Sequence, residues 1–78
     1  MISGTRVKVI KVKQEKMMNL WGGYDDVTSL LQQIGVIKRV YDSGEYENYG
    51  IEFDDYMAQL TRERTGIVFY KDDLEVIE

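Results

Sequence analysis

The chain has 78 residues, which is enough for one hydrophobic core and too few for a second. Apolar residues make up 44% of it and charged residues 31%, a composition typical of a folded domain and not of a disordered segment. It has no cysteine and no histidine, which excludes disulfides, a thiolate nucleophile, and the commonest zinc ligands and general base. We therefore expect a single domain over residues 1–78, with no cofactor and no enzymatic activity.

The net charge of −4 conceals an uneven distribution of charged side chains. Residues 1–40 carry seven basic and three acidic side chains, whereas residues 41–78 carry three basic and eleven acidic ones. Two such halves either form opposed patches that steer a partner or interleave in the fold and neutralise each other.

The N-terminus carries no sign of a targeting or membrane segment. After Met1 the sequence passes within a few residues into an alternating pattern, without the continuous apolar stretch that a signal peptide or a spanning helix requires. The lack of cysteine gives no indication of secretion either. We expect a cytoplasmic protein that makes no contact with a membrane.

The first strand is predicted over Arg6–Val9, where β-branched side chains alternate with basic ones. Ile10 and Val12 continue the apolar pattern on the opposite parity. This change of parity indicates a β-bulge, or a strand that bends between two sheet faces.

Residues 14–33 lose the alternation and are predicted to form a long loop with hydrophobic content. Asp25 or Asp26 is placed to cap a short helix over residues 27–33, because a carboxylate accepts hydrogen bonds from the unpaired amides of a helix start. Gly35 suits the exit from that helix.

The middle of the chain predicts a β-hairpin. Residues 36–41 are rich in β-branched side chains, and residues 42–44 read Asp-Ser-Gly, a turn cluster in which glycine can take a positive φ. The strand that follows has the clearest alternation, with Tyr49, Ile51 and Phe53 on one face.

The C-terminal third predicts two more strands. Residues 56–64 contain good helix formers and are predicted to be a short helix or an irregular excursion. Residues 66–70 predict a strand, residues 71–74 a single helical turn with an aspartate cap, and residues 75–77 a final short strand. Five short strands without βα alternation favour an antiparallel barrel or sandwich.

This order of elements resembles the SH3-like small-barrel superfold, including its KOW-type members. The resemblance rests on residues 4–9, on Gly35 followed by Ile37 and Val40, on residues 49–53 and on residues 69–77. It implies a mainly β fold, a five-stranded antiparallel SH3-like small barrel with a long first loop that contains a short helix, and a single helical turn before the last strand. Many similar small proteins of phages, prophages and Gram-positive bacteria have no assigned function, and the superfold hosts many functions.

Two departures separate the chain from the specific binding modes of these families. KOW-type sequences that bind RNA carry a glycine and basic residues just before the glycine-led strand, whereas residues 30–34 here read Leu-Leu-Gln-Gln-Ile. SH3 domains that bind proline-rich peptides begin their third strand with a tryptophan, whereas Trp21 lies in the first loop. Neither binding mode is carried over to this chain.

The aromatic residues are the strongest indication of function in the sequence. The chain has one tryptophan, six tyrosines and two phenylalanines, and tyrosine is enriched at interfaces because it offers rigid contact area at low entropic cost. Strand parity assigns Tyr49, Phe53 and one of the pair Phe69 and Tyr70 to the core. The candidate protein-binding residues are Met18, Trp21, Tyr24, Tyr41, Tyr46 and Tyr56.

Trp21 also has a purely structural interpretation. Together with Met17, Met18 and Leu20 it could plug one end of the barrel, since methionine adapts to irregular gaps in a core. An exposed Trp21 favours the protein-binding interpretation, and a fully buried one contradicts it.

The basic first strand suggests nucleic-acid binding as an alternative function. The residues that could track a phosphate backbone, while nearby tyrosines stack on bases, are Arg6, Lys8, Lys11, Lys13, Lys16 and Arg39. Against this, Lys8 alternates with core valines as on any solvated strand face, and the acidic total repels a polyanion. A basic set scattered over several faces would argue against nucleic acid.

Two adjacent acid pairs, Asp54–Asp55 and Asp72–Asp73, are the remaining chemical groups of note. Neighbouring residues on a strand point to opposite faces, so neither pair converges on one cation without help from a turn. We expect turn and cap roles for them and no metal site.

The sequence thus predicts a non-catalytic protein-interaction module that contacts a protein partner through the Trp21 loop, and the resemblance implies a phage or mobile-element accessory protein. The alternative is a KOW-like nucleic-acid-binding domain that uses the basic first strand. Edge strands of a small barrel can pair with a second copy, so a monomer and a weak homodimer both stay open.

Overall fold

The computed structural model describes residues 1–42 and 44–77 and shows a mainly β fold, in which an antiparallel sheet curls into a half-barrel. The strands and the helix are β1 (Arg6–Val9), β2 (Lys16–Met18), β3 (Tyr24–Asp26), β4 (Ile34–Asp42), β5 (Glu47–Phe53), α1 (Tyr56–Thr65), β6 (Phe69–Tyr70) and β7 (Leu74–Val76). Two short 3₁₀ helices cover Thr28–Leu30 and Lys71–Asp73. None of the helices in the described part of the chain has the length and apolar character needed to cross a membrane.

The main sheet has five strands in the order β6-β5-β4-β1-β7, and every neighbouring pair is antiparallel. The two edge strands, β6 and β7, are separated in sequence only by the 3₁₀ helix Lys71–Asp73. A connection this short brings the edges towards each other, and the sheet therefore curls. The strands β2 and β3 form a separate hairpin.

The concave side of the sheet holds the core. Alternate residues of the strands point inward, as their period of two requires. The buried apolar side chains are Val7, Val9, Val27, Leu30, Ile37, Tyr49, Ile51, Phe53, Ala58, Ile67, Phe69 and Leu74. The rings of Phe53 and Phe69 meet edge to face at 6.1 Å between centroids, a favourable aromatic geometry. The core assignment of Tyr49, Phe53 and Phe69 is confirmed, whereas Tyr70 is half exposed.

The segment after β1 differs from the prediction. The strand ends at Val9, so Ile10 and Val12 belong to a loop and not to a bulged continuation. The Ile10 amide donates to the carbonyl oxygen of Asp73 at 2.8 Å, while Ile10 is exposed and Val12 packs against the core from its edge. The opposite parity therefore reflects the end of the strand.

Residues 14–33 are not one irregular loop, because they contain the hairpin of β2 and β3. Each strand has only three residues, and only their middle residues, Met17 and Asp25, are half buried, so no alternation long enough to predict a strand exists. The short helix is a single 3₁₀ turn that places Val27 and Leu30 in the core.

Gly35 has a different role from the predicted helix exit. The chain leaves the 3₁₀ turn at Gln32, whose φ is 70°, and Gly35 lies inside β4 opposite Phe53. A β-carbon on Gly35 would lie 2.4 Å from the carbonyl oxygen of Glu52, so only glycine lets β4 and β5 approach this closely.

Of the two alternatives left for residues 56–64, a short helix and an irregular excursion, the structure shows the helix, α1. The carboxylate of Asp55 accepts a hydrogen bond from the Ala58 amide at 3.0 Å and caps α1, and Gly66 ends it in the left-handed conformation at φ 67°. This terminator shortens the next strand, since of residues 66–70 only Phe69 and Tyr70 belong to β6.

The two predicted turns are partly visible. Of residues 42–44, Ser43 lies outside the described residues; the Gly44 amide donates to the Asp42 carboxylate at 2.8 Å, and Gly44 has φ 91°. The predicted helical turn after β6 is confirmed as 3₁₀. Its aspartate acts from inside the turn, where Asp73 accepts a hydrogen bond from the Tyr70 amide at 3.0 Å.

Candidate functional site

The hairpin of β2 and β3 exposes four large apolar side chains. Trp21 is 75% exposed and Leu20 77% exposed at its tip, and Met18 and Tyr24 lie opposite each other, also exposed, where the two strands meet. We call these four residues the aromatic tip. The interpretation in which Trp21 and Leu20 plug the barrel is therefore wrong, and of that set only Met17 packs on the core.

The tip is held in one shape by Asn19. Its side-chain oxygen accepts hydrogen bonds from the backbone amides of Trp21 at 2.9 Å and Gly23 at 3.1 Å. The backbone amide of Asn19 donates to the Gly23 carbonyl at 2.8 Å. Gly22 supplies the positive φ of 85° that the turn requires. The backbone thus fixes the position from which Trp21 projects.

The hairpin is also anchored to the rest of the molecule through the last turn of α1. The Leu20 amide donates to the Arg64 carbonyl at 3.1 Å, and the Arg64 guanidinium lies 3.0 Å from the carboxylate of Asp25. At the base of the hairpin, the Val27 amide donates to the Glu15 carbonyl at 3.0 Å. These contacts leave the tip exposed while its backbone is bound on two sides.

The N-cap of the 3₁₀ turn is Val27, and Asp26, one residue earlier, accepts the hydrogen bonds at the start of the turn. Its carboxylate accepts a hydrogen bond from the Thr28 hydroxyl at 2.6 Å and from the Thr28 amide at 2.9 Å. Both hydrogen bonds stabilise the ionised carboxylate and hold the pKa of Asp26 below its usual value, and the bond from the hydroxyl has the larger effect. The exposed end of β3 therefore keeps its negative charge.

A second cluster of polar and aromatic groups surrounds Asp73, which is only 3% exposed. One of its carboxylate oxygens lies 3.6 Å from the Lys13 ammonium, which in turn lies 4.5 Å from the centre of the Tyr70 ring. Tyr46 meets Tyr70 edge to face at 6.3 Å. A shallow groove of about 190 Å³ runs between this cluster and Met17.

A third group lies on the outer face of β4 and β5, around Gly50. It consists of Arg39, Tyr41 and the Arg62 side chain, which reaches the sheet from α1. Arg39 is the register partner of Gly50.

The structure brings together only part of the predicted protein-binding set. Met18, Trp21 and Tyr24 belong to the aromatic tip, whereas Tyr46 belongs to the Asp73 cluster and Tyr41 to the Gly50 group. Tyr56 is exposed at the first residue of α1, beside the exposed Met57.

The basic residues do not form one uninterrupted stripe. Arg6 makes a two-point contact with Asp54, at 3.1 and 2.8 Å, and Lys13 pairs with Asp73. Lys8 is the register partner of Glu75, and Lys16 that of Asp26. Lys11 is exposed in the loop after β1, and Arg39 lies on β4.

Sequence reasoning missed Leu20, Asp73 and Arg62 as site residues. Leu20 had a signal in its position between Asn19 and Trp21, in a segment without alternation. Asp73 was expected only to have a turn or cap role, and Arg62 had no signal, because the groups that each contacts are distant in sequence. The carboxylates of the described residues form no group of three or more that could hold a metal ion.

Comparisons of the chain with protein families, with curated proteins and with solved structures found no match.

Proposed function

We propose that the protein is a non-catalytic interaction module that binds a protein partner through the aromatic tip. The observation that carries this proposal is that Leu20 and Trp21 are more than 70% exposed on a hairpin whose backbone is fixed by Asn19 and anchored to α1. The apolar side chains of this ordered hairpin remain in contact with water, which is unfavourable. A partner that covers them removes their apolar surface from water and gains hydrophobic free energy.

The chemistry of the tip fits a protein surface. Tryptophan and tyrosine dominate the energetically important residues of protein interfaces, and each offers a large apolar area with one polar group. A fixed backbone lowers the ordering entropy that binding costs, which favours affinity from a small contact area. Met18 adds a side chain that adapts to an irregular partner.

We further propose that the half-barrel is of the SH3-like kind. The support is the sheet order, in which four strands follow one another across the sheet and the last returns beside the first. The hairpin of β2 and β3 then lies in the first long connection, where such barrels accept insertions and carry binding residues. This placement is the one that a binding role for the tip needs.

The structure gives less support to the alternative function, nucleic-acid binding. Two of its six basic residues, Arg6 and Lys13, pair with carboxylates, and Lys8 and Lys16 face carboxylates across their strands. A phosphate backbone would have to displace or tolerate these acids, in a chain whose net charge is −4.

The test compares capture of partners by three forms of the protein in lysate of its source cells. We expect a partner that is retained by the unchanged protein and lost with the double variant Leu20→Ser and Trp21→Ser. The matched control is Tyr56→Ser with Met57→Ser, which removes two equally exposed apolar side chains from α1 and should retain the partner. Equal retention by all three forms would contradict the proposal.

A titration with oligonucleotides separates the alternative. Backbone amide NMR shifts that follow Lys8, Lys11 and Lys16 and disappear at high salt would favour nucleic-acid binding, since phosphate contacts release counterions. We expect no such salt-sensitive set.

A further inference from the structure

The middle of β5 contains Gly50, a residue that normally weakens a strand. Glycine in a strand interior loses more backbone entropy than other residues and offers no side chain to pack, so it marks a point where another group approaches closely. Here the approaching group comes from outside the sheet. Gly50 is buried and its φ is not positive, so space, and not backbone conformation, explains the glycine.

The guanidinium of Arg62 occupies that space. The point at which a β-carbon of Gly50 would lie is 2.9 Å from Nη2 of Arg62, 3.5 Å from ring carbon Cε2 of Tyr41 and 3.6 Å from Cβ of Arg39. Arg39 and Tyr41 alternate on one face of β4, and Arg62 reaches the same place from α1. The Arg62 guanidinium, the Tyr41 ring and the β-carbon of Arg39 thus surround one glycine.

The Arg62 guanidinium has no acceptor for its hydrogen bonds within the described residues. Its Nε is buried and makes no hydrogen bond. Nor does either Arg62 or Arg39 form an ion pair among residues 1–42 and 44–77, although the chain carries 14 acidic side chains. Leaving a half-buried charged donor without an acceptor is costly, and a bound anion removes that cost.

We propose that Arg39, Tyr41 and Arg62 form a binding site for one aspartate or glutamate carboxylate of a partner protein. The planar guanidinium matches the two oxygens of a carboxylate, and Arg39 and Tyr41 are exposed beside it on the outer face of the sheet. Asp42 and Glu47 are register partners at the nearby end of the same hairpin, and their charges repel a polyanion such as nucleic acid. The site does not depend on the aromatic tip.

The test is an NMR titration of the labelled protein with sodium acetate, inorganic phosphate and a single-stranded oligonucleotide at constant ionic strength. We expect acetate to produce saturable shifts of the arginine Nε–H signals of Arg62 and Arg39. In Arg62→Gln the apparent affinity for acetate should fall by about tenfold or more, since a charged hydrogen-bonded pair is lost. Lys71→Gln removes an exposed lysine elsewhere and should leave the response unchanged.

A second variant protects the test from loss of fold. In Gly50→Ala the new methyl group takes the place of Nη2, and the flexible end of Arg62 can move away, so the protein should stay folded. We expect its acetate response to fall as in Arg62→Gln, while its amide spectrum stays native.

Five outcomes would overturn the proposal. Four of them are an acetate response that is equal in Arg62→Gln and Lys71→Gln, an acetate response that Gly50→Ala keeps, shifts that do not saturate, and shifts that appear only with the oligonucleotide. Saturation by phosphate at far lower concentration than by acetate would assign the site to phosphate instead and overturn the carboxylate.

Discussion

Asp73 is the residue on which the closure of the half-barrel depends most. Its carboxylate accepts the Tyr70 amide and faces the Lys13 ammonium, while its carbonyl accepts the Ile10 amide. It thereby connects the loop after β1 with the junction between the two edge strands. A buried carboxylate is stable only with such partners.

Replacing Asp73 with alanine should lower the free energy of unfolding by about 2 kcal/mol, because the Tyr70 amide loses its hydrogen-bond acceptor and the Lys13 ammonium loses its ion-pair partner. Asp72→Ala is the matched control, since Asp72 is exposed and next in sequence, and its change should stay within about 0.5 kcal/mol. Urea denaturation measures both. Equal changes in the two variants would contradict the role given to Asp73.

Replacement by alanine should have different effects on stability at the two strand glycines, Gly35 and Gly50. Gly35→Ala should destabilise the protein by about 2 kcal/mol, because the new methyl group meets the backbone oxygen of Glu52, which cannot move without the strand. Gly50→Ala should change the free energy of unfolding by less than about 1 kcal/mol, because the methyl group meets only the mobile end of Arg62. Denaturation curves in which Gly50→Ala is the less stable variant would reverse this account.

Tyr49 should make the protein less stable at alkaline pH. Its side chain is fully buried, and this burial is the main cause that raises the pKa of the phenol above its usual 10.0. The second cause is the Glu47 carboxylate, which accepts a hydrogen bond from the hydroxyl. The neutral phenol is favoured in the folded state. Its stabilising contribution is complete below pH 10 and is lost as the pH rises through the folded pKa.

The measurement is the difference in unfolding free energy between the unchanged protein and Tyr49→Phe as the pH is raised above 10. We expect the difference to shift in favour of the variant, which has no phenol to ionise. Tyr24→Phe makes the same substitution at an exposed tyrosine and is the matched control. A constant difference for Tyr49→Phe would show that its burial does not affect ionisation.

Among the elements, those with a long pattern or a local signal could be predicted from the sequence. β5 alternates over its whole length, α1 has Asp55 at one end and Gly66 at the other, and the 3₁₀ turn before β7 has its acidic residues. β2 and β3 could not be predicted, because three residues are too few for a pattern. Their pairing depends on Asn19 and on the distant Arg64.

The hairpin should be the first element to lose its order when Asn19 is replaced. In Asn19→Ala the amides of Trp21 and Gly23 lose their acceptor, so amide exchange at residues 21 and 23 should accelerate by about tenfold, while exchange in β5 stays unchanged. Asn48→Ala, on β5, is the control and should leave the hairpin amides as they are. Native-state hydrogen exchange followed by NMR distinguishes the two, and unchanged exchange at residues 21 and 23 in Asn19→Ala would contradict the fixed tip.

On the scale of the whole molecule, ion pairs between the two chain halves neutralise part of their uneven charge. Three of the ion pairs join a basic residue of the first half to an acidic residue of the second, and the fourth joins them in the opposite sense. The pairs are Arg6 with Asp54, Lys13 with Asp73, Lys38 with Glu52, and Arg64 with Asp25. The exposed pairs contribute little stability each.

The site could be predicted only in part for the same reason. The sequence left the exposure of Trp21 open, because a segment that lacks alternation and contains two glycines is compatible both with a plug at the barrel end and with an exposed turn. The grouping of Arg39 and Tyr41 with Arg62 needs the packing of α1 on the sheet, which no local pattern specifies. The separation of Tyr41, Tyr46 and Tyr56 from the tip likewise depends on the curl of the sheet.

The most direct test of the central claim is the fluorescence of Trp21, the one tryptophan of the chain. A tryptophan exposed on an ordered hairpin of a folded protein should emit at the long wavelength typical of water and be quenched by acrylamide nearly as strongly as in the urea-unfolded chain. Emission at short wavelength with weak quenching in the native protein would place Trp21 in an apolar interior and contradict binding through the aromatic tip.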